Sequence, residues 1–518
     1  MSVNIRKIDS EPVIQARAGR WWALAALAVS GLVIGLDSTV LITALPTLSS
    51  KLGATMADLQ WIAAAYTLAL GGLLLPGGVL GDRYGRKRLL LVGLAIFGVS
   101  SVVASQVTTA SSLIGMRALM GVGAALILPL SLSILPSMFS EQERPRAVSA
   151  AAAGVFLGLP LGPLVAGWLL THYAWGSVFL INAPVVVIAL IGVWLLVPES
   201  KDPQPRPFDW VGGFLAVVGV TALVYGVIEQ PIHGWTDPRV LSGIIGGAVI
   251  LVAFVAWDLR HASPFVDLRN FRSRGFTWST VAFVVTGFGL FGVMFILTPY
   301  IQIVLGNDAQ ATGIMLLPLI GGVLVGAIIG SVLSQRLGAK VGVTTGLIVT
   351  TVGLIVFSRI TVDMGYSLVA AALAVIGIGL GIALPTTLDI IIGTLPPAQT
   401  GAGTALTRAL QQVAASFGVA ILGSILNNVY QGNLGPSVAA LAAPVRDSAQ
   451  GSIAGAAAVA AHLPAAVGSS LVHAANHAYT QGMADVMLVS AGLMLAAAIA
   501  IAIFLPARVS PIDPGDLR

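Results

Sequence analysis

Gly78-Val79-Leu80-Gly81-Asp82-Arg83-Tyr84-Gly85-Arg86-Lys87 is the stretch on which the reading of this chain turns. It packs an acid and three bases between two apolar blocks, Leu59–Leu80 and Leu89–Ser105. Crossing a bilayer takes ~20 residues of helix. A short charged segment between two such blocks is a turn at a membrane surface. The rest of the chain repeats the theme. Of 518 residues, 57% are hydrophobic and 9% are charged, against about 25% charged in a soluble protein. This excludes a cytosolic enzyme, a disordered chain and a nucleic-acid binder. With no cysteine, disulfides, thiolate-held zinc and thiol catalysis are excluded as well.

Fourteen spans follow. The first eight are Trp21–Leu45, Leu59–Leu80, Leu89–Ser105, Ser112–Met138, Ala147–Thr171, Val178–Val197, Trp210–Ile228 and Val240–Trp257. The remaining six are Phe276–Leu305, Ala311–Ser334, Val341–Ile360, Tyr366–Leu395, Gly403–Leu426 and Met483–Leu505. The first span is too long for a signal-peptide core and no clear cleavage site follows it, so it is read as a retained helix. With the N-terminus in the cytoplasm, 20 of the 26 bases fall inside, 4 fall outside, and Arg117 and Arg408 lie within spans. Positive charge accumulates on the cytoplasmic side, so this split sets both termini inside a cytoplasmic membrane.

The chain also repeats itself. Arg83, Gly85 and Lys87 reappear as Arg336, Gly338 and Lys340, with Gln335 in place of Asp82. Gly121, Gly123 and Pro129 reappear as Gly377, Gly379 and Pro385. Internal repetition is a mark of transporters that handle substrate between two halves. The predicted architecture is all-α and polytopic: a cytoplasmic tail at 1–20, a six-helix lobe at 21–200, two inserted helices at 201–260, a second six-helix lobe at 261–506 and a tail at 507–518. Residues 427–482 read as a long outside loop, Ala-rich and carrying His462, His473 and His477, with short helices or a hairpin near the outer mouth.

The Gly78–Lys87 loop resembles the signature loop of the major facilitator superfamily. Its glycines permit a tight turn, and Asp82 can face a helix N-terminus of the other half, where the dipole favours an acid. Gly78, Asp82, Arg83, Gly85, Arg86 and Lys87 would then form a latch that holds one state. Gly154, Gly158, Gly162, Pro163 and Gly167 in the fifth span resemble the antiporter motif of the exporting branch, a smooth face for close helix packing. Further stretches resemble the 14-helix drug:proton antiporters (the EmrB/QacA-like group). These are Leu36 to Pro46, Leu113 to Ala124, Trp175-x3-Phe179-x-Ile181-Asn182-x-Pro184, Gly234-Trp235 and Pro264-Phe265-x-Asp267-Leu268-x3-Phe271. Ala166 stands where the antiporter motif more commonly has glycine. Met120 stands where the group often has Gln, Ala64 where some relatives have an acid, and the tenth and thirteenth spans lack acids; these departures weaken the case for a dicationic substrate.

An ionisable group at membrane depth costs ~2.5–3.5 kcal/mol or more and marks function by default. Asp37, Arg117, Asp389 and Arg408 qualify. Asp37 and Arg117 both fall in the outer half and are expected to pair, Asp37 alternating between a proton and a cationic substrate. Asp389 and Arg408, at ~9 and ~8 Å from the inner face by helix rise, are expected to form a structural pair. Tyr66, Phe288, Phe291, Phe295, Asp389, Gln411 and Gln412 are the candidate substrate cavity, since aromatic faces attract flat cations. The resemblance implies a proton-driven monomeric antiporter. It would export lipophilic, cationic drugs, dyes or antiseptics by rocking two lobes, with membrane lipids and protons as its other partners. No Gly-x4-Gly-Lys-Ser/Thr phosphate loop is present, so ATP is not implied; neither are a cofactor, a metal, an enzymatic activity or a nucleic-acid partner. Two alternatives stay open: an exporter dedicated to one metabolite or antibiotic, and a transporter-like sensor or lipid-handling protein.

Overall fold

The computed structural model describes residues 19–140, 142–202, 209–261, 268–361, 364–395, 400–439 and 441–506. Most of both tails, and Pro264, Phe265 and Asp267 of the connector, lie outside the described residues. The described chain is helical throughout. In the first half α1 (Arg20–Leu52), α2 (Met56–Tyr84), α3 (Arg86–Ala104), α4 (Ala110–Ser133), α5 (Arg144–His172), α6 (Ser177–Leu180) and α7 (Asn182–Leu196) make one lobe. Then comes a hairpin of α8 (Trp210–His233) and α9 (Pro238–Asp258). The second lobe holds α10 (Arg274–Pro299), α11 (Ala309–Met315), α12 (Leu317–Leu337), α13 (Ala339–Phe357), α14 (Tyr366–Thr394) and α15 (Thr400–Val438). It ends with α16 (Ala443–Gly451), α17 (Ile453–Ala460) and α18 (Ala465–Phe504).

Thirteen helical stretches are long and apolar enough to cross a membrane among the described residues. The 29-residue α5 occupies the remaining position, the fifth of the fourteen spans read in the sequence. This is a multi-pass membrane protein of two six-helix lobes with an inserted helix pair.

The sequence repeat is a structural repeat. Gly85 and Gly338 break α2 from α3 and α12 from α13, with φ of 114° and 91°, a region that L-residues with a Cβ avoid. In both cases the glycine N–H closes the helix before it, donating to Gly81 and to Ser334. Gly121 and Gly123 bring α4 against the backbones of α2 and α3, and Gly377 and Gly379 bring α14 against α12 and α13 in the same way.

Residues 427–482 are not a loop. α15 runs on to Val438, α18 begins at Ala465, and α16 and α17 fill the turn between them. Alanine has the highest helix propensity, so this Ala-rich stretch prolongs the two flanking helices beyond the bundle instead of leaving them. The resulting cap docks on the other lobe: Ser49 and Ser452, both buried, share a 2.8 Å hydrogen bond.

Contacts between the lobes are concentrated toward the α1–α2 end. The Gln60 amide on α2 donates to Val419 O at 3.2 Å and Ala420 O at 2.9 Å on α15. Thr67 and Ser416 are hydrogen-bonded, and Gln302 Nε2 donates to Thr43 O at 2.7 Å. Gly167 of α5 abuts Ala309, and Gly313 of α11 abuts Pro163. At the α2–α3 end no hydrogen bond or ion pair joins the lobes among the described residues; Arg20–Glu143, Asp82–Arg86 and Arg88–Glu199 all stay within the first lobe. Among the described residues, polar bonds therefore join the lobes at the α1–α2 end and not at the α2–α3 end.

Candidate functional site

Between Arg20 and Lys51 at its two ends, α1 carries one charged residue, Asp37, midway along it. Asp37 is 1% exposed and Arg117 of α4 is 2% exposed. Arg117 Nη1 donates to Asp37 Oδ2 at 2.6 Å, a charge-assisted bond at the short end of the range. A pair removed from water survives only if its remaining hydrogen-bonding capacity is met, and here the surroundings meet much of it. Arg117 Nε donates to Ile62 O at 3.3 Å, the guanidinium lies 4.3 Å from the centre of the Tyr66 ring, and Met120 Sδ is 4.0 Å from Nη1. Met120, the departure from the family pattern, therefore sits against the cation itself.

The other carboxylate oxygen is held by a residue whose role the sequence did not disclose. Asn182 Nδ2 donates to Asp37 Oδ1 at 3.1 Å and to Ser101 Oγ at 3.0 Å, and Ser101 donates to Phe179 O at 2.8 Å. Asn182 is fully buried and opens α7 just after the break that separates it from α6. The signal was present: an amide side chain at membrane depth within the Trp175–Pro184 motif. α1, α3, α4 and α7 thus converge on one carboxylate.

The antiporter-motif glycines serve the same place. Gly154 and Gly158 lie against the α1 backbone at Ala28 and Leu36, and Gly162 against the Thr39 side chain and Leu36 O, where a Cβ would collide. Two of these three contacts flank Asp37. Pro163 and Gly167 continue the helix onto α11 in the other lobe.

The latch loop is tied down inside its own lobe. Arg86 Nε donates to Asp82 Oδ1 at 2.8 Å. Asp82 O accepts from the Asp202 N–H at 2.9 Å, and Lys87 Nζ donates to Trp194 O at 2.7 Å. Glu199 accepts from the backbone N–H groups of Lys87 and Arg88 at 3.0 and 3.2 Å, an acid at the positive end of α3. Arg83 is exposed beside Tyr84, and Gly78 lies close to Pro129. The described contacts of Asp82 are thus with Arg86 and Asp202, not with a helix of the other lobe. Glu199 and Asp202 went unremarked in the sequence, though an acidic cluster right after an apolar span is a visible signal.

The second expected pair is not formed. Asp389 is exposed, Arg408 is half-buried, and no ion pair joins them among the described residues. Depth along a helix says nothing of angle around it. Leu384, Leu388 and Ile391 carry the face of α14 that meets α10 and α15. Asp389 instead continues the row of Ile378 and Ile382, against which α12 packs. Arg408 is also deeper than expected. The next residue, Ala409, abuts Gly71, midway along α2.

Of the remaining cavity candidates, Gln411 lies against Gly287 of α10 and Gln412 against Gly71 of α2. Gln412 Oε1 and the Tyr66 hydroxyl are buried without a hydrogen-bond partner. Phe288 and Phe291 are half-buried, whereas Phe295 is 2% exposed and belongs to the core of its lobe.

The family model described as Major Facilitator Superfamily matches residues 27–419. The chain is 35% identical over 502 residues to the multidrug efflux pump LfrA of Mycolicibacterium smegmatis, covering 96% of this chain and 98% of that protein. It is 30% identical over 503 residues to the tetracenomycin C resistance and export protein of Streptomyces glaucescens, covering 95% and 93%. It is 30% identical over 487 residues to the methyl viologen resistance protein SmvA of Salmonella typhimurium, covering 92% and 96%. Among solved structures, a bacterial homologue of the human lysosomal transporter Spinster, inward-facing and unoccupied, superposes with a TM-score of 0.65 at 16% identity, covering 96% of this chain and all of that one. The xylose transporter XylE from E. coli, inward open, superposes with a TM-score of 0.58 at 14% identity, covering 94% and 97%. Two lobes built on one repeat, the glycine-broken charged loop in each and the matching family model lead to one conclusion: the chain belongs to the Major Facilitator Superfamily.

Proposed function

We propose that this protein is a proton-driven exporter of lipophilic drugs that works by alternating access, with both termini in the cytoplasm. The buried Asp37–Arg117 pair carries the reading. A carboxylate that is paired and out of water can take up a proton only when its surroundings change, and neutralising it dissolves the attraction that holds Arg117. Proton uptake on Asp37 thereby becomes a change in the packing of α1 against α4. The α1–α2 end, joined by polar bonds, and the α2–α3 end, without them among the described residues, correspond, with the orientation argued from the bases, to a state open toward the cytoplasm. Opposite motion of the lobes would release the contacts of Gln60 and engage Asp82.

The relatives support export of drug-like molecules, since their names speak of multidrug efflux, of tetracenomycin C and of methyl viologen. With both of its oxygens engaged, Asp37 serves the proton in this reading and leaves the substrate to other groups. The test is drug-dependent proton movement in proteoliposomes carrying the purified protein. Wild type is expected to couple an imposed pH gradient to dye efflux and Asp37→Asn to lose the coupling; equal coupled efflux by both would overturn the assignment of Asp37.

A further inference from the structure

Arg408 is the deep charge that the structure brings to the seam between the lobes without an ion-pair partner among the described residues. It lies one helical turn before both Gln411 and Gln412 on α15, and side chains three and four residues apart share a helix face. Gln411 lies against α10 and Gln412 against α2. Arg408 therefore sits where the face of α15 passes from the helix of its own lobe to the helix of the other lobe, level with the middle of α2. It is half-buried, and no acidic side chain among the described residues lies within ion-pair distance. With Asp389 on the row of α14 against which α12 packs, away from α15, the remaining described deep charges are Asp37, Arg117 and Arg408. Asp37 and Arg117 neutralise each other, so one positive charge remains.

An unpartnered guanidinium at membrane depth is costly, and a structural brace requires a partner that this one lacks. Its planar fork matches a carboxylate or similar oxyanion by two parallel hydrogen bonds. One turn along α15, the buried Oε1 of Gln412 has no donor. On α10, Phe291 lies one turn after Gly287, which abuts Gln411, and both Phe288 and Phe291 keep part of their rings accessible. A fixed cation, an acceptor lacking its donor and aromatic surface are thus brought together at the seam between the lobes.

We infer that Arg408 and Gln412 are the polar anchors of the transported molecule, and that this molecule is lipophilic and carries an anionic oxygen, a carboxylate or an ionised phenol or enol. A hydroxyl or N–H donor on the molecule would answer Gln412, at the ~5–6 Å spacing of i,i+4 side chains. The inference rests on the exporter reading for the word transported, but the binding it asserts can be measured without transport.

The experiment compares two xanthene dyes of one shape and opposite charge, fluorescein and rhodamine 6G, by fluorescence anisotropy on the purified full-length chain at neutral pH. Fluorescein is expected to bind wild type at least about tenfold more tightly than rhodamine 6G, as a hydrogen bond between charged groups implies. Arg408→Met should abolish that preference, Arg408→Lys should keep part of it, and Gln412→Leu should weaken fluorescein by a smaller factor. Tighter binding of rhodamine 6G by wild type, or fluorescein binding unchanged in Arg408→Met, overturns the inference. Elution volume and thermal midpoint of each variant show whether it is folded, and the Lys variant keeps the test decisive if the Met variant is not. Fluorescein bound through Arg408 but not moved by a pH gradient would defeat the exporter reading and leave the anion site standing.

Discussion

Arg117 and Arg408 are the same residue type, each set within an apolar helix near mid-depth, and their surroundings could hardly differ more. Arg117 is 2% exposed and holds a carboxylate, a backbone carbonyl and an aromatic face. Arg408 is half-buried at the seam, and among the described residues no acid pairs with it. What separates them is lobe geometry. α4 is packed on α1, α2 and α3 within a single lobe, so partners can be placed around Arg117 once and for all. α15 faces across the seam, and whatever stands opposite Arg408 changes as the lobes move. A charge inside a lobe can be a component of the machinery; a charge on the seam must be answered by something mobile.

The largest effect that could break this comparison comes from deleting each cation. Arg117→Met leaves Asp37 buried and unpaired, and losing one partner of a buried pair costs ~3–5 kcal/mol. Its thermal midpoint should fall steeply, while Asp37→Leu combined with Arg117→Met should recover much of the loss without recovering transport. Arg408→Met strands no partner and should leave the midpoint near that of wild type. Equal losses in the two single variants would erase the distinction.

Next in size is Asn182→Ala, which removes one of the two groups holding Asp37. A buried acceptor left unsatisfied costs ~1–3 kcal/mol. The thermal midpoint of Asn182→Ala should fall accordingly, by less than that of Arg117→Met. A midpoint that stays put would mean that the bond from Asn182 to Asp37 adds nothing to stability.

Gln60→Leu probes the seam instead of the lobe interior. It deletes the amide bonds to α15 and should shift the population toward opening of the α1–α2 end. The chain has no cysteine, so spin labels at Ser50→Cys and Gln310→Cys, exposed on opposite lobes, report the change as a longer distance. An unaltered distance distribution would show that apolar contacts close that end.

The smallest effect concerns Glu143 at the other end. The Ser140 hydroxyl, and with it Arg20, holds its carboxyl below the usual carboxylate range. A depressed pKa adds stability above the unfolded value and loses it as pH falls through the folded one. Wild type should therefore exceed Glu143→Gln slightly in thermal midpoint at neutral pH, and the two should converge in acid. No convergence would mean that the Arg20–Glu143 clamp does not depend on charge.

How much of this was legible beforehand follows from what a linear sequence encodes. The spans, the lobes and the repeat rest on composition and local pattern, and the structure keeps them; even Gly85 and Gly338 could be matched by eye. The pairing of Asp37 with Arg117 was legible because each is a lone charge at a similar depth. The same depth argument failed for Asp389 and Arg408, because angle around a helix depends on packing that only the fold supplies. Asn182 was visible as a motif residue but not as a hydrogen-bond donor to Asp37, since α6 and α7 must first break at Ile181 to turn it inward. In the cap the short helices were legible from the alanine content, whereas the prolongation of α15 and α18 was not, because a weakly apolar stretch between two spans reads as a loop unless helix propensity outweighs hydropathy.

The inserted hairpin has a consequence of its own. α8 lies along the seam and touches both sides, but unequally. Toward α15 it is fastened by polar bonds, Ser424 Oγ donating to Val227 O at 3.0 Å and Asn428 Nδ2 to Gln230 Oε1 at 3.0 Å. Toward α2 it offers apolar surface, with Val224 and Ile228 clustered on Ala57, Ala64 and Leu68, Tyr225 beside Trp61, and Val217 on Gly72. Apolar contact has no preferred direction, and among the described residues no hydrogen bond ties α2 to α8, so α2 can shift along α8 while the bonds to α15 hold. The hairpin is then a rail bolted to one carriage, on which the other one runs.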